Sequence, residues 1–404
     1  MPTFAYVARG RDGSTQKGTL AADSRKSLIS LLAARGLTAE PSSIKEKGKV
    51  SAASLAMKKV KQKELLIFTR QLATMVNSGL PLLQCLDILA EQTEEQVFAS
   101  MILSVAQRVE GGETLSEALK AFPKAFPDLY VSMVRAGEAG GDLDNVLLQL
   151  ADYLEASAEL KRRVRGAMVY PGVSMAIITV IASGLIIFVV PQFQKIFDDM
   201  GAELPAPTKL LIAMSETLRG PMALGVVGVF VAIIFAVRAY GQTPIGRYNL
   251  DSLQLKLPVF GSLMRKVAVS RFTRTLATLT RSGVAILQAM EIVERTAGNE
   301  VFAKAIRESA DSVRNGETLA DPLARSGEFP PMVTRMIGVG EKTGALEVML
   351  EKIAEFYDSE VKAMVDGLTS LIEPMLMVVM GVVVGGIIVG LFMPIMNLSQ
   401  IVSN

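Results

Sequence analysis

The chain has no histidine and no tryptophan among its 404 residues, and only one cysteine. Without histidine there is no Ser–His or Cys–His pair to activate a nucleophile, and the commonest zinc ligand is missing. The lone Cys85 cannot close an internal disulfide or build a thiolate metal site. On an apolar helix face it reads as a small buried hydrophobe. The net charge of +2 offers no broad basic field, so no nucleic-acid partner is expected. GxSxG, HExxH and calcium-loop patterns are absent. The stretch Gly338-Val-Gly-Glu-Lys-Thr-Gly344 imitates a phosphate loop and fails, because Glu341 rather than glycine precedes Lys342. No catalytic, cofactor or metal site is therefore expected. The N-terminus, Met1-Pro-Thr-Phe-Ala-Tyr6, lacks the apolar core of a signal peptide, and Arg9, Arg11 and Asp12 come early. The first soluble part is expected to stay in the cytoplasm.

Hydrophobic residues make up 50% of the chain and mean hydropathy is +0.37, which predicts a mixture of soluble and membrane segments. The chain also contains itself twice. Phe68-Thr-Arg-Gln-Leu-Ala-Thr74 returns as Phe272-Thr-Arg-Thr-Leu-Ala-Thr278. Ser78-Gly79 returns as Ser282-Gly283, Val97-Phe98 as Val301-Phe302, and Gly112-Glu-Thr-Leu115 as Gly316-Glu-Thr-Leu319. After a one-residue deletion Gly137-Glu138 and Gly141 match Gly340-Glu341 and Gly344, and Pro171 matches Pro374. Each copy runs from soluble helices into a long apolar stretch.

Residues 166–194 and 220–237 carry no charge, and residues 367–404 carry one, Glu373. A helix needs about 20 apolar residues to cross the hydrocarbon core. The first and third stretches are ample and the second is just long enough. Because both copies have the same order, the chain must cross back between them, and the middle stretch is the one candidate. Lys161, Arg162, Arg163 and Arg165 precede the first span, and Arg238 and Arg247 follow the second. The positive-inside rule then puts both repeats in the cytoplasm and the intervening segment outside. That segment holds Asp198-Asp199, which reads as a solvated charge pair.

The expected fold is an all-α membrane protein: two homologous cytoplasmic six-helix bundles with three transmembrane helices, plus a small N-terminal α/β unit. The expected boundaries are 1–46 for the N-terminal unit, 47–63 for a linker and 64–170 for the first repeat. The first span is expected at 171–194, a periplasmic loop at 195–219 and the second span at 220–238. The second repeat follows at 239–373, the third span at 374–398 and a periplasmic tail at 399–404. Strand character at Thr3–Val7 and Thr15–Ala21 flanks a turn at Gly10–Gly13. Asp23 or Ser24 is placed to cap a helix over 25–34 that Gly36 ends. Thr114-Leu-Ser-Glu117 has the spacing of a capping box, with Thr318 at the matching place, and Asp142 is placed to cap the last helix of the first repeat. Tyr170-Pro171 and Glu373-Pro374 sit where bundle becomes span, and each proline is expected to kink its helix. Asp366 marks the expected entrance of the third span, and Glu373 lies seven residues beyond it, so about 10 Å into that stretch. An ionisable group there receives a partner's helix, braces basic residues of its own bundle, or snorkels to the interface. Gly381, Gly385, Gly386 and Gly390 are spaced for close helix approach, within the chain or between copies.

In this order these motifs resemble the polytopic inner-membrane platform proteins of type IV pilus and type II secretion machines, the PilC/GspF family. The duplicated F-T-R-x-L-A-T and G-E-x-x-G units carry most of the resemblance. Tyr170-Pro171, Val190-Pro-Gln-Phe193 with Gly201-Ala-Glu-Leu-Pro205, and Glu373-Pro374 add to it. The outside segment is more similar to the pilus branch. Ala285 departs from the proline frequent in the family's second copy. The resemblance implies a non-enzymatic, multi-pass protein of the bacterial inner membrane. It would couple a cytoplasmic hexameric ATPase to insertion or extraction of pilin or pseudopilin subunits, alongside inner-membrane alignment proteins and as a homo-oligomer. Candidate structural or partner-contact residues are Tyr170, Pro171, Glu373, Pro374, Gly137, Glu138, Gly340 and Glu341. A small transporter is the rival class, disfavoured by parallel repeats and a single intramembrane carboxylate.

Overall fold

The computed structural model describes residues 3–10, 15–21, 25–34, 37–39, 45–46, 55–199, 205–220, 222–258 and 260–402. The turn at 11–14, the cap at Asp23 or Ser24, Gly36 and most of Gly201–Pro205 lie outside the described residues. The chain divides into two compact units, Met1–Ala151 and Asp152–Asn404.

The first unit opens with strands β1 (Thr3–Gly10), β2 (Thr15–Ala21), β3 (Leu37–Ala39) and β4 (Lys45–Glu46). β1 is the hub and pairs antiparallel with the other three; Phe4 faces Leu20 and Ala8 faces Ala39. Helix α1 (Arg25–Ala34) lies against β1 and β3 and buries Leu28 and Leu32, one turn apart.

The first bundle follows as α2 (Gln62–Asn77), α3 (Leu82–Gln92), α4 (Gln96–Glu110), α5 (Leu115–Lys120), α6 (Asp128–Gly140) and the start of α7 (Leu143–Gly184). Leu65, Phe68 and Leu72 of α2 fall on one helical stripe and are buried. Phe68, Phe98 and Phe126 meet edge-on in the core, with ring centroids 5.4 and 6.0 Å from Phe68, and Phe126 leads on to Tyr130 at 5.2 Å. Burial without a charged neighbour pushes the Tyr130 hydroxyl far above its ordinary range, and Thr69 lies within hydrogen-bond distance at 3.1 Å. Gly79 ends α2 with φ +84°, a conformation that favours glycine. Thr114 caps α5, its hydroxyl accepting from the Glu117 amide at 3.3 Å.

The second unit repeats this plan with α12 (Phe260–Arg281), α13 (Ile286–Thr296), α14 (Glu300–Arg314), α15 (Ala320–Arg325), α16 (Pro331–Thr343) and α17 (Leu346–Val402). Phe272, Phe302 and Phe329 rebuild the aromatic cluster, with centroids 4.7 and 5.3 Å from Phe329. The match is not complete. Thr318 turns to donate to Asp321 at 2.8 Å, and α15 starts one residue later than its counterpart.

Before these six helices lie the rest of α7, a π-helical segment Leu185–Val189, α8 (Val190–Asp199), α9 (Ala206–Arg219), α10 (Met222–Tyr240) and α11 (Pro244–Lys256). The segment expected as a loop at 195–219 is thus mostly helical where described. Its α9 buries Leu211 and Ile212 against Ile186, Val190, Ile387 and Leu391, and Thr208 donates to the Gly390 carbonyl at 2.6 Å. An apolar stripe on α9 supplies the reason. Both prolines expected to kink their helices lie inside continuous helices. α7 carries Pro171 in its interior and α17 runs on past Pro374. A π-helical segment follows at residues 185–189.

Two helices, spanning Leu143–Lys195 and Leu346–Met393, are long and apolar enough to cross a membrane. α10 joins α11 at a 109° bend and makes a third crossing if that pair counts as one. Ile178 packs on Ile372 and Leu376, while Val180 (71% exposed) and Val382 (70% exposed) face outward. Such apolar outward faces suit lipid rather than water.

Ala285 stands where the first copy has Pro81, yet the backbone is the same: φ −56° and ψ 138° against −57° and 137°. Ala285→Pro should therefore stabilise the chain by about 0.4–1 kcal/mol through the unfolded state. Thermal unfolding of the detergent-solubilised protein should show a raised midpoint; an unchanged or lowered one would mean that the proline ring is not accommodated.

Candidate functional site

The repeated Gly-Glu unit has one geometry in both copies. Glu138 projects from α6 to the start of α5, where its carboxylate accepts the Leu115 amide at 2.5 Å and the Ser116 amide at 3.0 Å. Glu341 does the same from α16, accepting the Leu319 amide at 2.5 Å and the Ala320 amide at 3.0 Å. Each carboxylate thus satisfies two of the orphan donors at the front of a short helix, where the helix dipole also favours negative charge. The preceding glycine permits close packing. A Cβ on Gly137 would meet Val146 at 3.0 Å, and one on Gly340 would meet the Leu346 backbone at 2.9 Å. Gly141 and Gly344 close the turns in the left-handed region, both at φ +71°. The amides of Asp142 and Ala345 reach back to the carbonyls of Gly137 and Gly340 at 2.9 and 3.0 Å. Asp142 itself accepts from the Asn145 side chain at 2.5 Å. These four candidates are engaged within their own bundles. The phosphate-loop lookalike is this turn, with Lys342 exposed on it.

The other four candidates lie on the long helices. Tyr170 is half exposed on α7 beside Pro171, and Glu373 and Pro374 are exposed on α17. No hydrogen bond or ion pair to Glu373 is seen among the described residues, so the bracing role weighed for it has no counterpart there. The Gly390 approach to Leu211 and Pro207 realises the glycine spacing within the chain, whereas the positions of Gly381, Gly385 and Gly386 are open.

One set of polar residues was not anticipated. Lys266, Arg274 and Arg281 of α12 pair with Glu360, Asp358 and Glu351 of α17, and Ser270 also donates to Asp358. The pairs advance along α12 while retreating along α17, which marks an antiparallel seam. Above it Leu263, Val267, Val361, Val365 and Leu368 form an apolar cluster joined by Leu160 and Val164 of α7. Seven- and eight-residue spacing on α12 was the available signal, but the partners lie 70 to 94 residues away in sequence. No metal-ligating cluster occurs among the described residues.

A repeated six-helix bundle, each copy continuing into a long apolar helix, defines a tandem-duplicated α-helical membrane protein. The chain belongs to the type II secretion system protein F family. The family's profile matches residues 68–191 and again 272–394, and that of the family's N-terminal domain matches residues 1–45. The chain is 43% identical over 403 residues to a Thermus thermophilus protein named type IV pilus assembly protein PilC, covering 98% of each. It is 41% identical over 400 residues to the Myxococcus xanthus protein of that name, covering 98% of this chain and 95% of the relative. A Pseudomonas aeruginosa type II secretion system protein F is 34% identical over the full length of both.

Hydrogen bonds to charged groups are worth about 1.5–3 kcal/mol each. Glu138→Ala and Glu341→Ala should each lower stability by about 3 kcal/mol, and exposed Lys342→Ala should change it by less than about 0.5 kcal/mol. Chemical denaturation of the solubilised chain checks the ranking, and equal effects at positions 341 and 342 would contradict the capping role.

Proposed function

We propose that this chain is the inner-membrane platform protein of a type IV pilus assembly machine. The observation that carries the reading is its end-to-end identity of 41–43% with proteins named for pilus assembly, against 34% for one named for type II secretion. The secretion platform is the second reading, favoured by that full-length match.

In this role both bundles lie in the cytoplasm, three helices cross the inner membrane, and residues 195–219 face the periplasm. The basic run 161–165 before the first apolar stretch supports that orientation. A hexameric ATPase engages the cytoplasmic bundles, and pilin transmembrane helices meet the spans. Inner-membrane alignment proteins and further copies of the chain complete the assembly. The platform works by transmission rather than catalysis. α17 continues without interruption from the second bundle into its apolar part, so displacement of the bundle is carried into the membrane by a continuous helix. Tyr170, Pro171, Glu373 and Pro374 are the contacts proposed for incoming pilin helices. Glu373, exposed among apolar residues, is the strongest of them.

Deleting the chain should abolish surface pili, and Glu373→Gln should reduce piliation several-fold at unchanged protein level. Filament counts by electron microscopy, with immunoblots of the membrane fraction, measure both. Normal piliation after deletion would sink the platform role, and normal piliation in the Glu373 variant would return that residue to simple snorkelling.

A further inference from the structure

A cavity of about 250 Å³ opens between α7, α11, α12 and the turn before α14, all within the second unit. Among the described residues its charged lining is Lys161, Arg165 and Arg271, with no carboxylate. Gln254 and Asn299 add amides, and Leu160, Val164, Met264 and Val267 supply an apolar wall. The first-turn amides of α14 are already taken, Val301 and Phe302 by the Asn299 side chain and Glu300 by Asp251. An anion in the cavity would therefore be held by side-chain cations. Gly298 at φ +75° keeps room for Arg271, since a Cβ there would collide with the guanidinium.

Position selects the kind of anion. Lys161 and Arg165 are one turn apart on α7, and the uncharged stretch begins at the next residue, Gly166. Their helical stripe continues through Met168, Gly172 and Met175. Both methionines are exposed, and space around Gly172 is open. A cationic cup thus adjoins an exposed apolar stripe on the same helix, which matches a phosphate-bearing headgroup joined to an acyl chain. We propose that this cavity is a binding site for an acidic phospholipid of the surrounding bilayer. The three cations hold the headgroup phosphate and the Met168–Met175 stripe receives the chain. Lipid seated there would fix α7 against α12 just before the uncharged stretch of α7 begins.

The test uses the purified full-length chain in neutral detergent, titrated with dioleoyl-phosphatidylglycerol, dioleoyl-phosphatidylcholine or glycerol phosphate, with adducts counted by native mass spectrometry. At about five-fold per basic residue, phosphatidylglycerol should bind at least about ten-fold more tightly than phosphatidylcholine. It should also outcompete glycerol phosphate. K161Q/R165Q/R271Q should lose the preference with helicity unchanged by circular dichroism. K161R/R165K/R271K should keep it, as should the charge-matched K59Q/K120Q/K342Q, whose lysines do not line the cavity. Equal binding of the two lipids to the intact chain, or a preference that survives K161Q/R165Q/R271Q, would overturn the proposal. So would glycerol phosphate binding as tightly as the lipid, which would make the cavity a site for a soluble phosphate compound.

Discussion

The carboxylates of Glu138 and Glu341 are the constraint on which both bundles depend. Each reaches across its bundle to hold the first amides of a six-residue helix. A helix that short has no stability of its own and needs its orphan donors satisfied from outside. The same Gly-Glu unit ends the preceding helix in a left-handed glycine and brings the next one into backbone proximity. One short sequence therefore closes the bundle and aims the long helix that leaves it. The aim matters because that helix carries the chain from each bundle straight into its apolar stretch.

The two copies share this frame and the buried phenylalanine cluster, but they are tuned differently. The first extends its aromatic core to Tyr130, where the second has Val333. The second is laced along α12 and α17 by ion pairs that are a quarter to two-fifths exposed. Exposed pairs of this kind contribute at most about 1 kcal/mol each, so the seam's apolar neighbours Val361 and Val365 carry more of the packing. The pairs fix the register instead, since opposite charges meet only at one sliding position. For the transmission role proposed above, a fixed register between bundle and span is a useful property.

What lies outside the duplication gives the chain its asymmetry: the N-terminal sheet, helices α9 to α11, and Glu373. α9 is the clearest case. A segment read as a loop folds into a helix whose apolar face is buried against Ile186, Ile387 and Leu391. Its composition is mixed enough to read as loop, and only its partners reveal the buried stripe.

The sequence alone determined the duplication, the all-helical bundles, the apolar spans and the glycine turns, because periodicity and left-handed glycines are local properties of the chain. Thr114's cap and the turn identity of the Gly338–Gly344 lookalike were equally legible. The tertiary structure alone decided what Glu138 and Glu341 do, which side chains meet across α12 and α17, and that Gly390 rather than Gly381 or Gly385 makes the close approach. It also decided that Lys161, Arg165 and Arg271 share one cavity. Those pairings join residues tens to more than a hundred positions apart, and no local pattern specifies a partner at that distance. Burial and chain geometry do, once the helices have packed.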